Sequence, residues 1–493
     1  GTVSSALSCG AVAREQGIVN FTYAGAGTLG ADTTNSGNPH VYFDGQADGI
    51  LPWATVNGTN FAAYSSVNGV SMLDLSSAEE FDGLTDQAGM NVKFTADRGV
   101  NSDVLDVDRS VNSLTITPGA GQSLGLGGCV LNIESGGLLL NGNVVFTIND
   151  PLTGGEVRGT NLLFNGSSAN ATLEVDAVVG GESFSKEGAG RMILTSDSTT
   201  TGGTRIGGGI LQLGAGGTTG MVGDGDVVNY GQLFIARSED LVFTNSIVGD
   251  GGVWKTNQNT LTFSGVNTYT GATVIGSGVV RVERVTDGAD SQLGVNQPLL
   301  PDSSYLQILN GTLQVTGTGT SLTARTVFVD RGSGSTIDVT QASGVVELSG
   351  RVAGGSPVLT KEGEGTLKLS GQVANGSLDL RVKSGLVELA KELPVAYAAE
   401  NVIIDGGEVR VTGASGDQIW SGLTLNAGTF DLNGHDEVIN SLSGAAGTVQ
   451  NGAAGTTNTL TIGRPNGGSH YGGTITARKS TRLNSSHRIR ARM

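Results

Sequence analysis

The sequence predicts an all-β protein that coils into a parallel β-helix, or β-solenoid. Three observations lead to this prediction: the composition, the chain length, and a repeat of short alternating strands. The 493 residues include 81 glycines and only 9 prolines, and Thr, Ser, Asn and Val are plentiful, as is typical of strands and turns. A single globular core usually stops growing above about 250–300 residues. A solenoid has no such limit, because each repeat contacts only its neighbours.

The repeat is clearest in residues 255–282, where apolar or β-branched residues at alternate positions mark three short strands. The pairs are Leu261 with Phe263, Thr273 with Ile275, and Val280 with Val282. Alternate side chains lie on one face of a strand, so each pair predicts two residues that face a core. The glycines between the pairs permit the turns that separate the strands.

Two further copies of this unit begin at Lys186 and Lys361. The pairs that follow Lys186, at the same offsets, are Met192 with Leu194, Thr204 with Ile206, and Leu211 with Leu213. The pairs that follow Lys361 are Leu367 with Leu369, Leu380 with Val382, and Val387 with Leu389. The last two pairs of this copy come one residue later, which predicts an insertion in the middle of the unit. Repetition of this kind indicates stacked rungs.

Local patterns leave an alternative open. In residues 306–315, 402–411 and 423–432, alternating segments flank short polar turns, and Asn-Gly in such a setting is a strong hairpin signal. Hairpins would build an antiparallel sandwich or propeller, whereas in a solenoid the same turn is a corner between two sheets. The long-range repetition favours the solenoid. At roughly 20–25 residues per rung, residues 130–476 would form about 15 rungs, on the order of 70 Å at ~4.8 Å per strand.

The pattern divides the chain into three parts. Residues 1–125 are an irregular β-rich part that begins the solenoid or precedes it, and residues 126–476 are the repeat-built β-helix. Residues 477–493 form a basic tail that we expect to be disordered. This tail is either an interaction segment or translated cloning or sequencing-adapter sequence, and the abrupt change in composition favours the second interpretation.

An aromatic cluster in the first part has two interpretations. Trp53, Phe61 and Tyr64 could stack on sugar rings, or they could plug a core. We favour the core.

Residues 391–401 contain Pro394 within an Ala/Glu run, which predicts a loop or a single helical turn.

Charge and cysteine content narrow the function classes. The net charge is −17, which argues against nucleic acid or an anionic membrane as the partner. Cys9 and Cys129 form no zinc-site spacing, and we favour two unpaired thiols over a disulfide.

The chain shows no signal peptide and no apolar run of about 18 residues. We therefore expect an internal piece of an exported protein.

The sequence presents no catalytic motif, and we expect no catalytic, cofactor-binding or metal-binding residue. Asp106 and Asp108, near Asp103, would share a strand face and could act as acid and base or bind calcium, but an ordinary exposed face is the favoured interpretation. Asp224 and Asp226 resemble one isolated calcium turn, and a plain turn is favoured. For His435, with Asp436 and Glu437 after it, we expect a solvated turn.

The unit that begins at Lys255, with Asn267-Thr268-Tyr269-Thr270-Gly271 intact, resembles the autotransporter-associated β-strand repeat of bacterial passenger proteins. The copy at Lys186 replaces this turn by residues 197–200 and the copy at Lys361 by residues 373–376. The resemblance implies a right-handed parallel β-helix exported through an outer membrane, with no catalytic residues. The translocator barrel common in such proteins is not among these residues.

The resulting expectation is a non-enzymatic, structural or adhesive passenger region at the cell surface or outside the cell, monomeric and without a cofactor. Glycans or extracellular matrix and cell-surface proteins are the expected partners. The alternatives are a polysaccharide-degrading β-helix enzyme and a calcium-dependent binding module. The assigned register predicts that Ile275→Asp disrupts the fold, whereas Thr262→Asp, on the outer face, is nearly neutral.

Overall fold

The computed structural model describes residues 6–9, 19–22, 28–30, 38–75, 80–81, 85–95, 102–150, 154–288, 290–296, 306–330, 334–414, 416–463, 469–476, 481–482 and 489–492. These residues form strands and turns, and none of them is helical. No stretch of helix that could cross a membrane therefore occurs in the described part of the chain. The chain divides into two compact units, residues 1–237 and 238–493.

The first unit contains the following strands: β1 (Ala6–Cys9), β2 (Val19–Phe21), β3 (His40–Phe43), β4 (Gly49–Val56), β5 (Asn60–Ser65), β6 (Gly69–Met72), β7 (Gln87–Thr95), β8 (Ser102–Val104), β9 (Arg109–Thr117), β10 (Ser123–Gly125), β11 (Val130–Leu140), β12 (Val145–Asn149), β13 (Glu156–Gly166), β14 (Thr172–Asp176), β15 (Val178–Gly188), β16 (Arg191–Leu194), β17 (Thr204–Ile206), β18 (Ile210–Leu213), β19 (Val227–Asn229) and β20 (Gln232–Ile235).

Most strands of this unit stack in two parallel sheets. One sheet has the order β8-β10-β12-β14-β16-β18-β20, and the other has the order β7-β9-β11-β13-β15-β17-β19. The chain alternates between the sheets, so each pair of strands is one rung of a solenoid. A smaller sheet, β2-β4-β5-β6, contains an antiparallel hairpin of β4 and β5.

The second unit contains the remaining strands: β21 (Leu241–Phe243), β22 (Ile247–Val248), β23 (Gly252–Lys255), β24 (Thr260–Phe263), β25 (Thr273–Ile275), β26 (Gly278–Val282), β27 (Leu306–Ile308), β28 (Gly311–Val315), β29 (Gly319–Thr323), β30 (Val327–Val329), β31 (Ser335–Val339), β32 (Gly344–Leu348), β33 (Val352–Ala353), β34 (Val358–Glu362), β35 (Thr366–Leu369), β36 (Asp379–Val382), β37 (Leu386–Leu389), β38 (Asn401–Ile404), β39 (Glu408–Val411), β40 (Gly422–Leu425), β41 (Thr429–Asp431), β42 (Glu437–Ile439), β43 (Ser441–Gly444), β44 (Thr448–Gln450), β45 (Thr459–Ile462), β46 (His470–Tyr471), β47 (Thr474–Ile475), β48 (Thr481–Arg482) and β49 (Ile489–Arg492).

Three stacks of parallel strands build most of this unit, and a fourth sheet has the order β42-β45-β49-β48, in which β49 pairs antiparallel with β45 and β48. The orders of the three stacks are β21-β24-β26-β28-β31-β34-β36-β38-β40-β43-β46, β29-β32-β35-β37-β39-β41-β44-β47, and β23-β25-β27-β30-β33. Leu367 pairs with Val387, which precedes Val409 in the same stack, so one rung takes about 20 residues, as predicted. Insertions lengthen some rungs, as between Val280 and Leu313.

The predicted all-β parallel solenoid is confirmed, and the hairpin alternative is wrong. In residues 306–315, β27 and β28 do not pair with each other; β27 pairs with β25 and β30, and β28 with β26 and β31. The turn between them is therefore a corner. The backbone groups of each strand are satisfied by the rungs before and after it, and the alternate side chains fill the interior.

The predicted register is confirmed in β24 and at Ile275 in β25. Leu261 and Phe263 are buried, whereas Thr260 and Thr262 lie on the outer face. Ile275 is fully buried, and its parallel neighbours are Lys255 and Ile308. The predicted loop at residues 391–401 is also confirmed up to residue 400, where the chain forms turns and one isolated bridge, from Ala399 to Ile419.

Candidate ligand-binding cleft

The first lysine of each repeat points into the core. Lys186, Lys255 and Lys361 are almost fully buried. The Nζ of Lys186 donates hydrogen bonds to the carbonyl oxygens of Glu187, Gly188 and Gly208 at 2.8, 3.0 and 3.0 Å. Burial lowers the pKa of the Lys186 amine to about 7, because desolvation disfavours the charged form. The lysine thus ties together, from the inside, the turns at 187–188 and at 208.

Lys361 binds both equivalent turns of its copy, and Lys255 binds the first turn of its own. Lys255 donates to the carbonyls of Thr256 and Asn257, and Lys361 donates to those of Glu362, Gly363 and Ser384. Burial lowers the pKa of each of these two amines to about 8. The lysine that marks the repeat in the sequence is therefore a structural residue of the core.

The asparagine of the intact Asn-Thr-Tyr-Thr-Gly turn also bridges rungs. The Oδ1 of Asn267 accepts from the backbone N–H of Ile247 at 2.8 Å, and its Nδ2 donates to the carbonyl of Gln292 at 2.7 Å. The hydroxyl of Tyr269 lies 2.6 Å from the Oγ1 of Thr273, and burial raises the Tyr269 pKa to about 12. Every polar group named here is fully or almost fully buried and hydrogen-bonded.

The copy at Lys186 differs in two of its outer turns, which consist mostly of glycine and have few side chains. Its first turn is Glu187-Gly188-Ala189, and its third is the run of glycines 207–209. Gly188 and Gly209 have φ of 69° and 63°. A Cβ on Gly209 would lie 2.2 Å from the carbonyl oxygen of Gly190, so only glycine fits there.

These bare turns form one wall of a cleft of about 470 Å³. The opposite wall comes from the small sheet, through Asn20, Thr55 and Gly58. The side chains of Phe61 and Pro52 pack against Gly137 on β11, and the Nδ2 of Asn141 donates to the carbonyl of Thr59 at 2.6 Å. These contacts attach the small sheet to the solenoid beside the cleft.

Two polar residues in the lining of the cleft are almost fully buried. Asn165, on β13, is 5% exposed and makes no hydrogen bond to any residue that the structure describes. Glu187 is 1% exposed, and its Oε1 accepts from the Nε of Arg205 at 2.9 Å. The Arg205 guanidinium also lies over the ring of Tyr230, 4.9 Å from its centroid. The carboxylate is therefore held in place, whereas the Asn165 amide is open to a ligand.

The carboxylates considered for catalysis do not form a site. Asp106 and Asp108 are exposed, as favoured, but they lie in a turn, so the expected shared strand face is wrong. Asp106 pairs with Arg109 at 2.6 Å, and Asp108 accepts from the backbone of Val130 at 2.8 Å. The side chain of Asp103 lies outside the described residues.

The remaining candidates have structural positions. Asp224 and Asp226 lie in an exposed turn, as favoured. The solvated turn expected after His435 is wrong for Glu437, which is fully buried because its carboxylate accepts from the backbone of Gln418 and Ile419 at 2.9–3.0 Å. Adjacent positions on a strand face opposite sides, which separates it from the exposed Asp436.

The aromatic cluster of the first part belongs to a core. Phe61 and Tyr64 are 0% and 6% exposed, and Trp53 packs against the apolar cluster that includes Phe43. The interpretation as a core plug is confirmed for Phe61 and Tyr64. Cys129 is a free thiol. The side chain of Cys9, and residues 477–480, 483–488 and 493 of the basic tail, lie outside the described residues.

Sequence reasoning missed the cleft. It interpreted the glycines of the repeat, at residues 255–282, as turn formers and did not consider the run of three at 207–209, which lies beside Gly188 and leaves the surface with few side chains. Asn165 gave no signal, because it is buried through the packing of distant segments.

Comparison with known proteins supports the sequence prediction. Residues 184–213 and 255–282 match the family "Passenger-associated-transport-repeat". The chain is 29% identical over 402 residues to "Adhesin BmaC autotransporter" of Brucella suis biovar 1 (strain 1330), an alignment that covers 71% of this chain. The chain spans only 11% of the length of that relative. No solved structure matches.

Proposed function

We propose that this autotransporter passenger-like chain, built on the passenger-associated transport repeat, is a non-enzymatic adhesive region of an exported bacterial surface protein. The observation that carries the proposal is the similarity to an autotransporter adhesin over 71% of the chain. The solenoid supports it, because stacked repeats present a long surface whose turns can vary while the core stays the same.

The interior supports a scaffold function in particular. In each of the three copies the core lysine hydrogen-bonds the carbonyl groups of a turn, and the strands pair in parallel with those of the neighbouring rungs. We propose that the solenoid is stiff and monomeric and that it acts outside the cell or at its surface. Parts of the full protein beyond this chain would provide attachment to the outer membrane.

The enzymatic and calcium-binding alternatives gain no support. Asp106 and Asp108 are engaged by Arg109 and by the backbone of Val130. Within the described residues, no group of three or more His, Cys, Asp or Glu side chains could hold a metal ion.

A binding screen of the full chain tests the proposal. Immobilised glycans, extracellular matrix proteins and cell-surface proteins would be presented with and without calcium, and polysaccharide breakdown would be followed in parallel. We expect saturable binding without turnover and without a calcium requirement. Heat-unfolded chain is the control for non-specific adsorption. Turnover of a polysaccharide, or no binding to any ligand class, would contradict the proposed function.

A further inference from the structure

We propose that the cleft between the turns of the Lys186 repeat and the small sheet binds a neutral sugar unit of a glycan. This inference rests on the proposed adhesive function and assigns it a site and a ligand class. The cleft volume of about 470 Å³ lies in the range of small-molecule sites, and a mono- or disaccharide matches it.

The lining excludes two classes of ligand. Its side chains are those of Asn20, Thr55, Asn165, Ser167, Glu187 and Ala189, and glycines form the rest. No basic side chain is present in this lining, and the Lys186 amine beneath it is occupied by three carbonyls. An anionic ligand would therefore find no free basic side chain in the lining, because the nearby Arg205 is already paired with Glu187. No apolar side chain larger than alanine is present either, so a lipid or an apolar peptide side chain would gain little by burial.

The polar groups that remain suit hydroxyls. A side-chain amide offers two donors and one accepting oxygen, and a carboxylate offers acceptors. A sugar hydroxyl can donate and accept at once, so it can satisfy the Asn165 amide and the fixed Glu187 carboxylate together. Asn165 makes this the favoured site because its amide lines the cleft and has no partner among the described residues, so both its donors and its acceptor are available to a ligand hydroxyl.

The bare glycine turns allow close approach. Gly208 corresponds to Ser277 in the copy at Lys255, where the hydroxyl donates to the carbonyl of Asn257 at 3.1 Å. Gly188 and Ala189 correspond to Asn257 and Gln258. The repeat thus accepts side chains at these positions, and their absence in the Lys186 copy leaves the space that the sugar would occupy.

Steric block of the cleft is the direct test. A Cβ on Gly208 would lie 3.4 Å from the nearest atom, the carbonyl oxygen of Gly188, an ordinary contact, so Gly208→Leu should fold and fill the cleft. Full chain would be screened on neutral oligosaccharides and their sulfated counterparts, and affinities measured by calorimetry. We expect binding to neutral sugars and its loss in Gly208→Leu. Ser277→Leu, the same change in the other copy, should bind as the parent does.

A second variant tests the amide. Asn165→Ala should weaken sugar binding by at least about tenfold, because a hydrogen-bonded pair is lost. Asn161→Ala, on the same strand, removes only the acceptor of the Ser183 hydroxyl and should bind as the parent does. Unchanged melting temperatures in all four variants would show that the fold is intact.

The outcomes separate this inference from the proposed function. Glycan binding that survives both Gly208→Leu and Asn165→Ala would overturn the cleft assignment and leave the adhesive function standing. Binding of a deglycosylated protein that is lost in Gly208→Leu would reassign the cleft to a peptide and overturn the sugar assignment. No binding to any ligand would overturn both.

Discussion

The copies of the repeat at Lys255 and Lys186 share a core and differ in their turns. Both bury the lysine against turn carbonyls. The copy at Lys255 adds the Asn267 bridge and the Tyr269–Thr273 contact. The positions equivalent to Asn267, Tyr269 and Thr273 are Ser198, Thr200 and Thr204, whose buried hydroxyls have no partner within the described residues.

This difference separates the part of the repeat that the fold requires from the part that can vary. A rung forms without the intact Asn-Thr-Tyr-Thr-Gly turn, since the copy at Lys186 forms β16, β17 and β18 in register with its neighbours. The hydrogen bonds of the intact turn add stability. At the turns 187–189 and 207–209 of the Lys186 copy, where glycine predominates, the surface beside the small sheet forms the cleft.

The largest expected effect comes from a charge placed in the core of the intact copy. Leu261 is fully buried between Leu241 and Val280, and Leu261→Asp should lower the free energy of rung opening by about 3–5 kcal/mol. Thr262→Asp, one residue further on the outer face, should change it by less than about 0.5 kcal/mol. Native-state hydrogen exchange measures both, and equal effects would contradict the register.

Ile275, the site chosen from the sequence, is a weaker test. Its parallel neighbour is the buried Lys255, whose amine could pair with a new carboxylate.

Removal of the asparagine bridge should give the next largest effect. Asn267→Ala leaves the backbone groups of Ile247 and Gln292 without this partner, which should cost about 1–3 kcal/mol. Ser198→Ala, at the equivalent position, removes an unpartnered hydroxyl and should be neutral or slightly stabilising. Hydrogen exchange of the surrounding amides measures each change. A loss of stability in Ser198→Ala equal to that in Asn267→Ala would show that the two positions do not differ.

Changes of opposite sign in the free energy of unfolding are expected at Tyr269 and at its equivalent, Thr200. Tyr269→Phe removes the contact to Thr273 and should destabilise by about 1 kcal/mol. Thr200→Val replaces a buried, unpartnered hydroxyl by a methyl group and should stabilise by about 1 kcal/mol. Thermal unfolding of both variants provides the measurement. If Thr200→Val destabilises, the hydroxyl has a partner after all.

A pH dependence of stability is also expected, from the buried amine of Lys186. The pKa of Lys186 is about 7 in the folded chain and ordinarily 10.5, so between these values the unfolded chain binds a proton that the folded chain releases. Its contribution to the free energy of unfolding therefore rises from about pH 7 to about pH 10. The difference in melting temperature between the parent and Lys186→Met should grow in the parent's favour across this range. Parallel curves would contradict it.

The sequence predicted the scaffold better than the site, for a physical reason. Alternation at Leu261 and Phe263 and its return after Lys186 and Lys361 are local signals that determine which side chains meet. Whether a polar side chain is buried and hydrogen-bonded depends on rungs that are distant in the sequence. The sequence predicts a solvated Glu437, because no nearby residue indicates that its carboxylate accepts hydrogen bonds from the backbone N–H groups of Gln418 and Ile419. Asn165 and the cleft depend in the same way on the small sheet.

One hydrogen-exchange comparison tests whether the hydrogen bonds of the intact turn stabilise a rung that also forms without them. The amides of Thr268 and Thr199 hold equivalent positions, and each donates a 2.9 Å hydrogen bond to the preceding rung, to Ile247 and Val179. We expect the Thr268 amide to exchange more slowly than that of Thr199, by about tenfold for each 1.4 kcal/mol of added stability. Equal rates, or slower exchange at Thr199, would contradict the account.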